Sequence, residues 1–456
     1  MPRIFSSLKN NRGARAALAT GACLLLLGRD ARAAEAPPEV SPEAPASPVA
    51  VVPAPPAAVP PAPIPDSLME PAYAASPWAL ANWHIDASGY IHAAYRWIQQ
   101  PQNYNLAGRN NGFQLEQARV VASVAWKRWL FLRISVEGAS EDRLGQSFPG
   151  GQITARLRDA YLSFSPLRAL RLTVGQMVTP WDLDSMRSDA ELPFVSRSVT
   201  AEGVQPSEGY TTRGLGADRN LGLSLHSGFI PIPGALSLRY AAFIGNSNGQ
   251  NQLLSDNNLP ALYGRVEFAY WGRRALPPDR PGPLYAISDL FEQPIVSIGV
   301  AGQWRPRTSG NLPDLIRETD SGAAADLAAS LFGVELQAGL IYLRTAHNTL
   351  TAVPDQERFG YWAHLRYTLP RIPPQITLGY RIASYAPRAH LSVEAATPAD
   401  ARIDGSLGLL YHTLGVFARP LRGFPLHVGL NYTFTTEQAP NQLDNDRFEA
   451  DVVAVF

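Results

Sequence analysis

Arginine is the side chain in this sequence with the most to offer chemically. Of 39 basic residues only Lys9 and Lys127 are lysine, and the rest are Arg. Arg96, Arg119, Arg133, Arg171, Arg239, Arg265, Arg305, Arg366, Arg381 and Arg447 each sit one residue out of step with a row of apolar neighbours. Asp86, Glu137, Asp159, Glu267, Glu335, Glu449 and Asp451 share that parity. A guanidinium stays charged and presents a planar fork of donors to carboxylate or phosphate oxygens. Two outcomes are open: the Arg row attracts anions, or the carboxylates neutralise it as structural ion pairs.

Other chemistry is sparse. His92, His226, His364 and His412 fall on polar faces, and none belongs to a nucleophile motif. There is no phosphate-cradling Gly loop, paired metal-ligand motif or dinucleotide fingerprint. Asp256-Asn257-Asn258 alone is weak evidence for a Ca²⁺ site. No catalytic set of nucleophile, base and stabilising group assembles, so an enzyme, a cofactor and a metal are not expected. The 39 basic and 39 acidic residues balance, which argues against nucleic-acid binding through bulk charge. The lone Cys23 rules out a disulfide scaffold.

The elements that position the Arg row read as strands. No run reaches the roughly 18 apolar residues of a membrane-spanning helix. Instead, alternation with period two recurs. Ile85, Ala87, Gly89, Ile91, Ala93, Tyr95 and Trp97 share one face, with His84, Asp86, Ser88, Tyr90, His92 and Arg96 on the other. Leu130 to Glu137 and Leu426 to Phe434 repeat the pattern. About sixteen such runs start near 84, 113, 129, 156, 170, 219, 236, 261, 294, 320, 332, 358, 375, 405, 425 and 447. Short joins (127–128, 166–169, 370–374) tend to alternate with long ones (98–111, 139–152, 179–217, 245–259, 345–357, 385–404, 435–446). Two places fit poorly: residues 272–293 are long for a turn, and the join near Leu331 has no clear turn residues.

The ends of the chain add to this. Residues 1–33 combine a basic start, an apolar stretch from Ala16 to Leu27 and a small-residue site at Ala31-Arg32-Ala33. This is the layout of a secretory signal peptide, with an apolar part too short to span a bilayer. Residues 34–78 form a Pro/Ala-rich segment in which 12 of the 29 residues from Pro37 to Pro65 are Pro. It is expected to be a disordered or polyproline periplasmic spacer, reaching roughly 140 Å at ~3.1 Å per residue. The last run places Phe448, Ala450, Val452, Ala454 and Phe456 on one face. A final strand ending on Phe resembles the assembly signal of bacterial outer-membrane barrels.

Residues 79–456 are therefore expected to form a transmembrane antiparallel β-barrel of about 16 strands rather than a soluble sandwich. An Arg facing lipid at mid-bilayer costs ~2–4 kcal/mol, so the Arg parity should face the lumen. Trp97, Trp126, Trp271, Trp304, Tyr367 and Tyr432 lie near strand ends, as aromatic girdles require.

Several segments resemble the phosphate-selective porin O and P family. They are Leu157-Arg158-Asp159-Ala160-Tyr161-Leu162, Leu170 to Gln176, Thr179-Pro180, Phe194-Val195-Ser196-Arg197-Ser198, Gly245 to Asn251 and Tyr263-Gly264-Arg265-Val266. The resemblance implies a 16-stranded, water-filled barrel, a homotrimer, and a third long loop folded into the lumen. Here that loop is about 179–217, with Asp182, Asp184, Arg187 and Arg197 as its candidate constriction residues. Phosphate-selective members draw anions with Lys clusters, whereas this predicted barrel has one Lys, Lys127, in a short turn. The expectation is an outer-membrane porin for passive diffusion of small hydrophilic solutes, with an anion or phosphate preference. Arg96, Arg119, Arg133, Arg171, Arg239, Arg265, Arg305, Arg366 and Arg381 would line it. Its expected partners are outer-membrane lipid and the barrel assembly machinery. The alternatives are a weakly selective pore, or a barrel anchored to the cell wall through the Pro-rich arm.

Overall fold

The computed structural model divides into two units, Met1–Leu68 and Met69–Phe456. It describes residues 83–99, 111–127, 129–140, 153–188, 190, 192–204, 214–217, 219–247, 249, 251, 259–272, 294–309, 316–347, 355–369, 375–386, 408–419, 426–437 and 445–456. The expected signal peptide, the Pro-rich segment, Asp256 to Asn258 and most of 272–293 lie outside the described residues.

The strands are β1 (Trp83–Ile98), β2 (Gly112–Trp126), β3 (Leu130–Ser140), β4 (Ile153–Leu167), β5 (Leu170–Val178) and β6 (Arg219–His226). They continue with β7 (Ile230–Ile232), β8 (Leu236–Gly245), β9 (Ala261–Tyr270), β10 (Val296–Ser309), β11 (Ile316–Leu331) and β12 (Val334–His347). The last are β13 (Gln356–Thr368), β14 (Gln375–Ala386), β15 (Leu409–Arg419), β16 (Leu426–Glu437) and β17 (Arg447–Val455). Short β7 continues β6 after a bend, since both pair with β8. The barrel therefore has sixteen staves, every neighbouring pair antiparallel, closed by β1 on β17.

Closure is a physical requirement. A strand edge in hydrocarbon leaves N–H and C=O groups unpaired at several kcal/mol each. Here the seam runs from Tyr90↔Val455 to Ile98↔Arg447. It extends to the last residue, where Gly89 N donates to Phe456 O at 2.8 Å and Phe456 N to Gly89 O at 2.9 Å.

The two faces invert the pattern of a soluble protein. Ile91, Val120, Ile134, Leu172, Ile298, Leu365 and Leu430 are exposed outside, while Arg119, Glu137, Arg265, Glu267 and Glu449 are buried inside. Leu331 and Val334 pair across Phe332 (φ 51°) and Gly333 (φ 82°). Two central residues at positive φ are the primed two-residue hairpin turn, whose twist suits the flanking strands. The join near Leu331 is thus a tight turn, with only Gly333 in the usual chemistry.

Two sequence assignments are corrected, and one inward residue is added. His412 shares the outward parity of Leu414 and Val416, and its Nδ1 lies 2.7 Å from the Tyr380 hydroxyl on the lipid side. Trp271 belongs to no outer girdle: it is 1% exposed and donates Nε1 to Ser237 Oγ at 2.7 Å, because Tyr270 before it takes the outward position. Arg158 turns inward beside Asp159, since the register shifts between Ser135 and Val136 and leaves Arg158 in a bulge.

Parity makes a direct prediction. Leu430→Arg places a charge in lipid and should cost ~2–4 kcal/mol in reversible urea unfolding from liposomes, whereas Asn431→Arg, one residue on, faces the lumen and should cost clearly less. Equal costs would contradict the assignment of faces.

Candidate functional site: the lumen and its third loop

The wall comes first. Arg96 reaches Glu116 Oε1 at 3.2 Å and Glu449 Oε1 at 3.1 Å, and Arg447 meets Glu449 Oε2 at 3.2 Å. Glu137 takes Arg119 (Nε at 2.8 Å) and Arg158 (3.2 Å). Asp159 takes Arg219 at 2.8 Å and the half-buried Arg133 at 3.7 Å. Glu267 takes Arg239 at 2.6 Å, and Arg265 grips Asp326 with both terminal nitrogens at 2.6 Å. Asp320 gathers Arg305, Arg307 and Arg358. Arg366 pairs with Glu335. Arg171 is buried on the same face, opposite His226 in the β5–β6 ladder. Removing one partner of such a pair leaves a desolvated charge at about 3–5 kcal/mol, so these pairs hold the wall's geometry.

Arg381 differs. It is 3% exposed, its guanidinium lies 4.7 Å above the Phe194 ring, and Nη1 donates to Ser196 O at 2.6 Å. Among the described residues it pairs with no carboxylate, and its Nε has no acceptor.

Phe194 and Ser196 belong to the loop between β5 and β6, which folds into the lumen. Asp182 caps the helical turn Leu183–Met186, its Oδ1 accepting from Asp184 N and Ser185 N at 3.1 Å each. Ser198 caps a second turn, Val199–Glu202, and donates to Asp184 Oδ2 at 2.6 Å. Trp181 Nε1 donates to Leu215 O at 2.9 Å, tying the start of the loop to its return. Asp182 and Asp184 are thus turned into the loop's own fold. Burial, then the neighbouring Asp184 carboxylate, pushes the Asp182 carboxyl up to about 6. Arg197 also folds back, donating to the carbonyls of Asp184 and Arg187.

The folded loop is fastened to the far wall. The Thr200 hydroxyl lies 2.8 Å from both Tyr361 O and Ser384 O, which face each other across β13 and β14. Phe194 packs edge-on against Phe417 and His364 at 5.6 and 5.8 Å. Arg187 reaches Glu335 at 3.6 Å, and Arg265 donates to Trp181 O at 2.8 Å. Trp181, Leu183, Val199 and Leu215 bury themselves among Ile341, Leu343, Trp362 and Tyr385. Ala217 packs against this cluster and also against one containing Phe131, Tyr161 and Tyr263 across the barrel. The lumen is therefore bridged at the level of the loop's return. A cavity remains between loop and wall, lined by Leu183, Arg187, Arg239, Glu267, Ser297 and Gln337.

Parity reasoning missed this apolar inner patch. The signal was the unbroken run Leu340-Ile341-Tyr342-Leu343, which reads as a strand covered on both faces.

Residues 85–252 match the family model described as phosphate-selective porin O and P. That span is a little over a third of the chain, and over it the closed barrel with an apolar exterior is similar to this family of outer-membrane porins. The matched span runs from β1 through β8 into the loop that follows. Solved structures share the fold. The anion-selective porin from Comamonas acidovorans superposes at TM-score 0.52 with 10% identity, over 82% of this chain and 100% of that one. The outer membrane channel DcaP of Acinetobacter baumannii gives 0.50 and 12%, over 83% and 99%. No curated protein matches the chain. The protein resides in the bacterial outer membrane.

The seat of the loop can be tested at Gly360. A Cβ there would stand 2.6 Å from Thr200 Cγ2 and 2.9 Å from Ser384 O. Gly360→Ala should lift the loop and raise single-channel conductance without loss of the heat-modifiable folded band; unchanged conductance would mean the loop does not set the narrow section.

Proposed function

We propose that this porin is a passive, weakly selective pore for small hydrophilic solutes, narrowed by its third loop. The carrying observation is the charge balance of the wall. Arg96, Arg119, Arg133, Arg239, Arg265, Arg305, Arg366 and Arg447 are all held by carboxylates. A guanidinium already answered by an acid contributes little net potential, although the pairs set local fields across the lumen.

An anion-preferring pore is the second reading. Arg381, which pairs with no carboxylate among the described residues and whose Nε has no acceptor, and the cavity bearing Arg187 and Arg239 favour it. The Comamonas porin of similar fold, which is anion-selective, adds support. Phosphate specificity has less behind it, because Lys127 is the only Lys after the leader.

The remaining assignments extend the same reading. Residues 1–33 direct export and are removed, and 34–78 serve as a periplasmic spacer. The barrel assembly machinery inserts the chain, which assembles as a homotrimer. If the Pro-rich arm instead anchored the barrel to the cell wall, deleting residues 35–77 would weaken the envelope.

The deciding experiment is the reversal potential in a planar bilayer under a KCl gradient, followed by added phosphate. A potential near zero with no phosphate block is expected. A chloride-directed potential that collapses in Arg381→Gln would establish the anion-preferring reading in its place.

A further inference from the structure

Asp182 and Asp184 stand out among the buried carboxylates. They are 1% and 4% exposed, yet among the described residues neither forms an ion pair with an Arg, Lys or His. Every partner of Asp182 is a neutral donor of its own loop: Asp184 N, Ser185 N and the Ser185 hydroxyl. Asp184 Oδ2 likewise accepts only from Ser198 N at 3.0 Å and Ser198 Oγ at 2.6 Å. This contrasts with the barrel wall, where the buried acids Glu137, Asp159, Glu267, Asp320 and Glu449 each hold at least one guanidinium.

The elements packed against the loop do not supply the missing charge. β11 faces Asp182 with another carboxylate, Asp326, which acts on it repulsively. β9 brings Arg265, but that guanidinium is taken by Asp326 and by Trp181 O. β14 brings Arg381, which donates to Ser196 O and lies over the Phe194 ring, and whose charge acts on Asp184 rather than on Asp182. An ionised Asp182 is therefore a desolvated charge beside like charges, and its protonated form is a well-held neutral cap.

We propose that the seating of the third loop is proton-coupled through Asp182: protonation holds the loop against the wall, and ionisation loosens it. This rests on the reading of the lumen as a pore narrowed by that loop.

The sign follows from linkage. Released into water, Asp182 returns to the ordinary carboxyl value, 3.8, whereas in the seated loop it lies at about 6. The seated form thus binds the proton more tightly. Its advantage is full below the ordinary value and is lost as pH rises through about 6. Over that window the ratio of seated to released loop should change on the order of a hundredfold. Acid would make the pore quiet and narrow, and neutral pH would free the loop to fluctuate.

The test is single-channel recording of the full porin between about pH 4 and about pH 8. High salt screens the exposed charges. For the unaltered protein, loop-borne current fluctuations should fall at least tenfold on acidification, with a midpoint near 6. Asp182→Asn keeps the cap and removes the titration, so it should be quiet at every pH. Asp184→Asn removes the neighbouring charge, so its midpoint should move to lower pH. Fluctuations that ignore pH, or an Asp182→Asn channel that keeps the original response, would overturn the proposal while leaving the pore intact. Failure to form any channel would overturn the pore reading and this inference together.

Discussion

Backbone hydrogen bonding in hydrocarbon is the constraint on which the rest of this structure depends. Each strand must find two neighbours, so the sheet has to close, and the β1–β17 seam does this down to the reciprocal bonds of Gly89 and Phe456. Once the sheet closes, period-two alternation leaves no choice of destination. One parity meets lipid and becomes apolar, and the other meets the lumen and carries the Arg and the carboxylates.

The lumen then has its own problem. Buried guanidinium groups are costly alone, and a desolvated pair is retained only where geometry and further hydrogen bonds support it. The wall solves this across strands: Glu137 serves Arg119 and Arg158, Asp320 serves Arg305, Arg307 and Arg358, and Glu449 serves Arg96 and Arg447. These contacts stiffen the barrel and cancel much of its charge. The third loop uses different forces, namely two capped turns, a Thr200 hydroxyl on two carbonyls and an apolar patch from Trp181 to Tyr385. Loop and wall meet where Arg187, Arg265 and Arg381 cross between the two systems.

Much of this was legible in the residues. The sixteen run starts coincide with sixteen staves, because a strand exposed to lipid on one side advertises its parity. The failures came where parity is locally broken or reversed. The bulge at Arg158 inserts one residue and turns two successive charges inward, which alternation cannot show. The turn at Phe332-Gly333 closes with an aromatic residue at positive φ, so turn composition gave no warning. His412 reads as polar, but it stands on the lipid side because Tyr380 satisfies its ring nitrogen. The loop's internal bracing was the least visible part. Asp182, Asp184 and Arg197 read as lumen charges, whereas capping and carbonyl contacts fold them into the loop itself. Those contacts depend on tertiary proximity that no local period encodes.

The central claim is that a loop fastened inside the barrel, and not the barrel's own diameter, sets the size of solute that passes. The most direct measurement is the partitioning of neutral polymers of graded size into single channels. It would compare the native porin with one in which residues 183–214 are replaced by a short turn. The account predicts that the shortened porin admits distinctly larger polymers while still folding as a barrel. An unchanged size limit would contradict it.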